Sequence, residues 1–144
     1  EMDIVKQHPE IGARIAKPLN FLNDVVPLIL HHHERFDGSG YPDGLKGSAI
    51  PLGARILTLC DAFETMLAGR THFAKMKLMD VIVNLHQEAG SHFDPVIVDA
   101  LFSVLEARPE VFEVQINGAE RNCLVNYRQK MKTVGAPPQQ LVFL

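Results

Sequence analysis

Basic residues are in short supply: 14 Lys and Arg stand against 17 Asp and Glu, leaving a formal net charge of −3 over 144 residues. No electrostatic footprint for duplex DNA exists in such a balance, which disfavours nucleic-acid binding by general charge. Cysteine is scarce as well. Cys60 and Cys123 lie far apart, and Cys60 sits within an apolar run, which argues against a zinc ribbon or a secreted disulfide framework. The expected setting is reducing and cytoplasmic. Long apolar runs are also missing. The stretch over residues 25–30 spans six residues, whereas a membrane helix needs about 20 and a signal peptide needs a basic start and a longer apolar region. Neither an internal repeat nor a low-complexity segment occurs. What remains is a chain of one-domain length, able to bury roughly 68–70% of its unfolded surface without staples.

The apolar pattern predicts helices. Ile4, His8, Ile11, Gly12 and Ile15 recur at spacings of three and four, and Pro9 disfavours an α conformation at His8, so a kinked or broken first helix is expected. Asn23 and Asp24 are candidate caps for a second helix running to about Arg35, with Pro27 in its first turn. The segment Asp37-Gly38-Ser39-Gly40-Tyr41-Pro42-Asp43-Gly44 is dense in turn-forming residues and predicts a structured loop. A third helix is expected from Pro51 to about Leu67 on the stripe Ile56, Leu59, Cys60, Phe63 and Leu67, with Asp61 and Glu64 on its flank. Leu78, Val81, Ile82, Leu85 and Ala89 predict a fourth helix closed by Gly90, and Asp94-Pro95 opens a fifth. Near the C-terminus Phe112, Val114 and Ile116 alternate ahead of Asn117-Gly118, which predicts a short β-hairpin, followed by a tail. The expected fold is an all-α bundle.

The candidate chemistry lies in imidazoles and carboxylates. His31, His32 and His33 are consecutive near the expected end of the second helix. Neighbouring helical positions diverge by about 100°, so two adjacent histidines suit two different metals better than one. His8 and an anion such as Asp61 would complete a two-metal centre of mixed imidazole and carboxylate donors, suited to iron, manganese or zinc. Two such cations clamp the attacking and leaving oxygens of a phosphoester, which points to metal-assisted phosphohydrolysis. Taken alone, a histidine run also fits a solvated helix end, where imidazolium favours the dipole. Spacing by itself leaves both readings open.

The string His32-His33-Glu34-Arg35-Phe36-Asp37-Gly38-Ser39-Gly40-Tyr41-Pro42 resembles the signature of the HD-GYP family. His8-Pro9-Glu10-Ile11-Gly12, Ala54-Arg55-Ile56 leading to Asp61, and Gly90-Ser91-His92-Phe93-Asp94-Pro95 are similar to further family segments, so that the resemblance spans roughly residues 2–108. It implies a helical bundle of the HD type carrying a Gly-Tyr-Pro loop, and a bacterial phosphodiesterase that hydrolyses cyclic di-GMP through pGpG to GMP. Two or three iron or manganese ions would serve a complete domain. Carried over by position, the resemblance implies His8, His32, His33 and Asp61 as metal ligands, and Asp61 and Arg70 as catalytic residues. Arg70 would contact a ligand phosphate. Tyr41 belongs to a loop implicated in substrate and partner recognition, including diguanylate cyclase (GGDEF) domains. Glu34, Asp37, Gly38, Gly40 and Pro42 would orient ligands or organise the loop.

The departures from the family are specific. Its His-Asp pair lies upstream of the segment matched by His8-Pro9, and no His-Asp dipeptide occurs in this chain. Without the bridging carboxylate, weak or single-metal occupancy is expected. After Asp61 the family's Arg-Pro-Tyr-Arg segment is replaced by Arg70-Thr71-His72-Phe73. The abrupt start, already in helical pattern, predicts a fragment: residues 1–112 as an HD-GYP-like domain lacking its His-Asp half, and 113–144 as an extension or tail. Two functional classes follow from these features, a cyclic di-GMP phosphodiesterase and a catalytically degenerate module that binds a ligand or a protein.

Overall fold

A computed structural model describes residues 6–69, 74–112 and 116–134. Among these the architecture is helical, with one isolated β-bridge between Ala89 and Phe93. Six α-helices follow in order: α1 (His8–Ala16), α2 (Val26–His31), α3 (Leu52–Ala68), α4 (Leu78–Gln87), α5 (Pro95–Ala107) and α6 (Gly118–Val134). Short 3-10 turns at Asn20–Leu22, Gly47–Ala49 and Pro109–Phe112 join them. Two compact units result, Glu1–Asp61 and Ala62–Leu144, with α3 running from one into the other. No described helix is long and apolar enough to cross a membrane.

In the first unit, Pro9 stands in the first turn of α1, where proline lacks only an N–H that would be unpaired there anyway, and the part of the expected first helix before residue 6 lies outside the described residues. The expected apolar face is corrected in part. Pro9, Ala13 and Ala16 are buried, whereas Ile11 and Ile15 are 41% and 70% exposed, and Ile4 lies outside the described residues. Small residues face inward because α1 approaches α2 closely: a Cβ on Gly12 would stand 2.9 Å from the Ile29 side chain. The second helix is shorter than expected. It begins after Val25 with no side-chain cap, so Asn23 and Asp24 do not cap it, and it ends at His31 instead of near Arg35. The loop that follows takes over the backbone from that point. On α3 the buried positions in this unit are Ala54, Thr58 and Leu59, while Ile56 and Cys60 of the expected stripe are exposed.

The second unit is built by periodicity. Leu78, Val81, Ile82, Leu85 and His86 form the inner stripe of α4, and Val98, Leu101, Phe102 and Leu105 that of α5. Asp94 caps α5, its side chain accepting from the Val96 amide at 2.9 Å, with Pro95 in the first turn. No hairpin occurs among the described residues. Asn117 instead caps α6: its side chain accepts from the Glu120 amide at 3.0 Å, and the Glu120 carboxylate accepts from the Asn117 amide at 3.0 Å. This reciprocal capping box satisfies two helix-start donors, which an Asn-Gly hairpin turn would leave unused. Phe112 lies in a 3-10 turn, and Val114 falls outside the described residues. Helix α6, which the sequence pattern did not announce, buries Leu124 and Tyr127 and packs on α4 and α5. Arg128 joins it to α5 through Glu106 at 2.6 Å and Asp99 at 3.2 Å.

His86 carries a pH dependence into this unit. Its ring tilts over Tyr127 with centroids 4.3 Å apart, and both ring nitrogens are buried without a hydrogen-bond partner. Burial, helped by the Lys130 charge, holds its pKa below the ordinary 6.5. The native state therefore favours neutral imidazole. As pH falls below about 6.5 the unfolded chain takes up a proton that the folded chain refuses, and stability declines until the folded pKa is passed. Thermal melts between pH 7.5 and 5 should show a steeper fall for the wild type than for His86→Phe; equal slopes would remove His86 as the cause.

Candidate metal centre

Three elements bring three imidazoles together. Gly12 seats α1 against Ile29 of α2, and His8 lies one helical turn before Gly12, on the same face. His32 is the C-cap residue of α2, and His33 follows it outside the helix. The Thr58 hydroxyl, shared between the Ala54 carbonyl at 2.8 Å and the His32 carbonyl at 2.7 Å, ties this turn to α3. Because the helix stops at His31, the expected divergence of neighbouring imidazoles does not apply. The His32 and His33 rings converge, with centroids 4.1 Å apart.

His8 Nε2 stands 3.2 Å from His32 Nε2 and 3.1 Å from His33 Nε2. The His32 Nδ1–H donates to the Ile29 carbonyl at 2.6 Å, so in the neutral ring its Nε2 presents a lone pair to the cluster. Either one proton on His8 Nε2 or one cation among the nitrogens satisfies this arrangement. The spacing suits a cation, since imidazole nitrogens about 2.0–2.1 Å from one first-row metal stand roughly 3.0–3.4 Å apart. The donor set and its tautomer fit a divalent metal. Asp61 lies on α3, exposed, and is not among the groups of donors lying within 4.8 Å of one another. Arg70, with His72, falls outside the described residues.

The Gly-Tyr-Pro loop folds back onto the two histidines. The Tyr41 amide donates to the His33 carbonyl at 3.2 Å, and the Tyr41 ring stacks on His33 with centroids 5.0 Å apart and planes 22° from parallel. Lys6 lies 5.8 Å over the Tyr41 ring centroid. Burial pushes the Tyr41 phenol up, so it stays protonated near neutral pH. Gly40 permits the approach: a Cβ there would meet Arg35 N at 2.2 Å and both Glu34 Cα and His33 O at 2.6 Å. Glu34 is buried, and its carboxylate accepts from the Asp43 amide at 2.8 Å and the Leu45 amide at 3.1 Å. Asp37 accepts from the Ser39 amide at 2.8 Å and hydroxyl at 2.6 Å, with Gly38 between them at φ +87°. The Tyr41-Pro42 peptide is cis. Neither the Tyr41 stack on His33 nor the contacts of His31 with Glu34 and Asp43 has a local sequence pattern; the position of Tyr41 eight residues after His33 carries no signal until the loop closes.

A profile of the HD domain matches residues 1–97. The chain belongs to the HD domain family. Within that family this HD domain is related to the HD-GYP phosphodiesterases. It is 39% identical over 126 residues to the cyclic di-GMP phosphodiesterase response regulator RpfG of Xanthomonas campestris, a match covering 77% of this chain and 33% of the relative. A cyclic di-GMP phosphodiesterase of Vibrio cholerae is 37% identical over 116 residues, covering 74% of this chain and 23% of the relative. Among solved structures, a cyclic GMP-AMP-specific phosphodiesterase of V. cholerae shares the fold, with a TM-score of 0.64 at 21% identity, covering 94% of this chain and 36% of that one. The chain thus covers between 23% and 36% of the length of these relatives.

Gly40→Ala should destabilise the loop by about 3 kcal/mol, the upper end for overpacking, because backbone atoms cannot yield as a side chain can. Hydrogen exchange at the Tyr41 and Asp43 amides should accelerate in that variant; unchanged protection would show that the loop does not rest on this contact.

Proposed function

We propose that the protein is a metal-dependent phosphodiesterase acting on a cyclic dinucleotide, with cyclic di-GMP as substrate, hydrolysed through pGpG to GMP. The supporting observation is the approach of His8 Nε2 to the His32 and His33 Nε2 atoms at 3.2 and 3.1 Å, inside a family whose relatives bear that activity in their names. These three histidines would hold the metal, iron or manganese, with Asp61 as the anionic ligand. Bound there, a divalent cation supplies charge neutralisation for a phosphodiester under attack.

The chain's own residues do the positioning. The Ile29 carbonyl keeps the His32 proton on Nδ1 and thereby orients its ring, a partner of the kind that raises ligand basicity. Tyr41 restricts the rotation of His33 from one side, and Glu34 anchors the loop that carries Tyr41. In this reading Arg70 grips a substrate phosphate, and the Gly-Tyr-Pro loop contacts substrate or a diguanylate cyclase (GGDEF) domain. The replacement of the family's Arg-Pro-Tyr-Arg segment by Arg70-Thr71-His72-Phe73 favours a second reading, a degenerate binding module without turnover.

Metal content and hydrolysis of cyclic di-GMP and cyclic GMP-AMP by the native protein test both readings. His8→Ala and His33→Ala should lower Mn²⁺ affinity at least tenfold and abolish hydrolysis, with the helical circular dichroism retained. Metal content unchanged in both variants would refute the ligand assignment, and metal-loaded protein without turnover would support the binding module. Tyr41→Ala should weaken metal binding several-fold through the freed His33 ring, while Tyr41→Phe, which keeps the stack, should not.

A further inference from the structure

We propose that His31, Glu34 and Asp43 form a second cation site, distinct from the His8, His32 and His33 cluster, which takes a divalent first-row metal through one imidazole nitrogen and two carboxylate oxygens. His31 closes α2 with a side chain only 12% exposed, and its Nδ1 is buried with no hydrogen-bond partner. Glu34 Oε1 and Asp43 Oδ2 each lie 3.8 Å from that nitrogen, beyond hydrogen-bond reach, and all three atoms lie within 4.8 Å of one another. With two separations of 3.8 Å and the third no more than 4.8 Å, a point equidistant from the three donors falls about 2.0–2.5 Å from each, a range that includes the bond lengths of zinc or manganese to imidazole and carboxylate. His31 Nδ1 is too far from either carboxylate oxygen to hydrogen-bond it, and the three donors are close enough to share an ion.

The surroundings prebuild the site. The Glu34 side chain is fully buried, and the Asp43 and Leu45 amides fix its orientation while leaving Oε1 a second lone pair. A buried carboxylate facing a buried imidazole nitrogen that bonds nothing is costly in the absence of a cation. Asp43 is 58% exposed and opens the site to solvent. One nitrogen with two carboxylate oxygens suits Mn²⁺, Fe²⁺ or Zn²⁺ better than Cu⁺ or Ca²⁺. An ion held here joins the end of α2 to the far side of the Gly-Tyr-Pro loop, so it acts as a staple on the segment that carries Tyr41.

Mn²⁺ titration of the full chain, followed by the EPR signal of the free ion, tests the site independently of the first cluster. In the double variant His8→Ala/His33→Ala one Mn²⁺ per chain should remain bound. Adding Asp43→Asn or His31→Gln to that background should weaken it at least tenfold, with the circular dichroism confirming the fold. A double variant that binds no Mn²⁺ overturns the proposal, as does a retained ion indifferent to both Asp43→Asn and His31→Gln, the result expected if His31 carries only a proton. Failure of the first cluster looks different: the double variant would keep the full wild-type stoichiometry, while this site would still stand or fall on Asp43→Asn.

Discussion

The candidate site depends on one close contact, the seating of Gly40 on the backbone of residues 33–35. Without a side chain at Gly40 the loop reaches the peptide groups that follow the end of α2, and the Tyr41 amide meets the His33 carbonyl. That approach stacks Tyr41 on His33 and carries the Asp43 and Leu45 amides to the buried Glu34 carboxylate. A larger residue at Gly40 would keep these partners apart. The loop is thus the brace of the histidine pair, and its glycine is a steric requirement.

Economy of helix length serves the same end. Helix α2 has six residues, too few to be stable in isolation, and it is held by α1 through Gly12 against Ile29 and by Thr58 of α3 at the His32 carbonyl. Its early end releases His32 and His33 from the helical angle of about 100° per residue. Imidazoles that a longer helix would splay apart converge on His8 instead. A regular structure interrupted at the site of chemistry is the expected outcome where local preference yields to function.

Much of the fold was legible because several helices announce themselves locally. Asp94-Pro95 sets a start, and the apolar residues of α4 and α5 recur with a period that only a helix can bury on one face. The first unit was less legible, since its buried positions are small residues chosen for approach, leaving Ile11 and Ile15 exposed. Asn117-Gly118 misled for a definite reason. The same dipeptide serves a hairpin and a helix start, and Glu120 three residues on decides for the helix by returning a hydrogen bond to Asn117.

What the sequence determined by itself was the helical class, the kinship carried by His8-Pro9 and the His32 to Pro42 string, and the identity of the candidate donors, because these reside in residue types and in spacings along the chain. Only the tertiary structure decided which donors meet. Convergence of His8 with His32 and His33, the stack of Tyr41 on His33, and the triangle of His31, Glu34 and Asp43 join residues up to 25 positions apart. Those distances depend on where a helix stops and how a loop returns, and both are set by close contacts, at Gly12 and Gly40, between segments that no local pattern encodes.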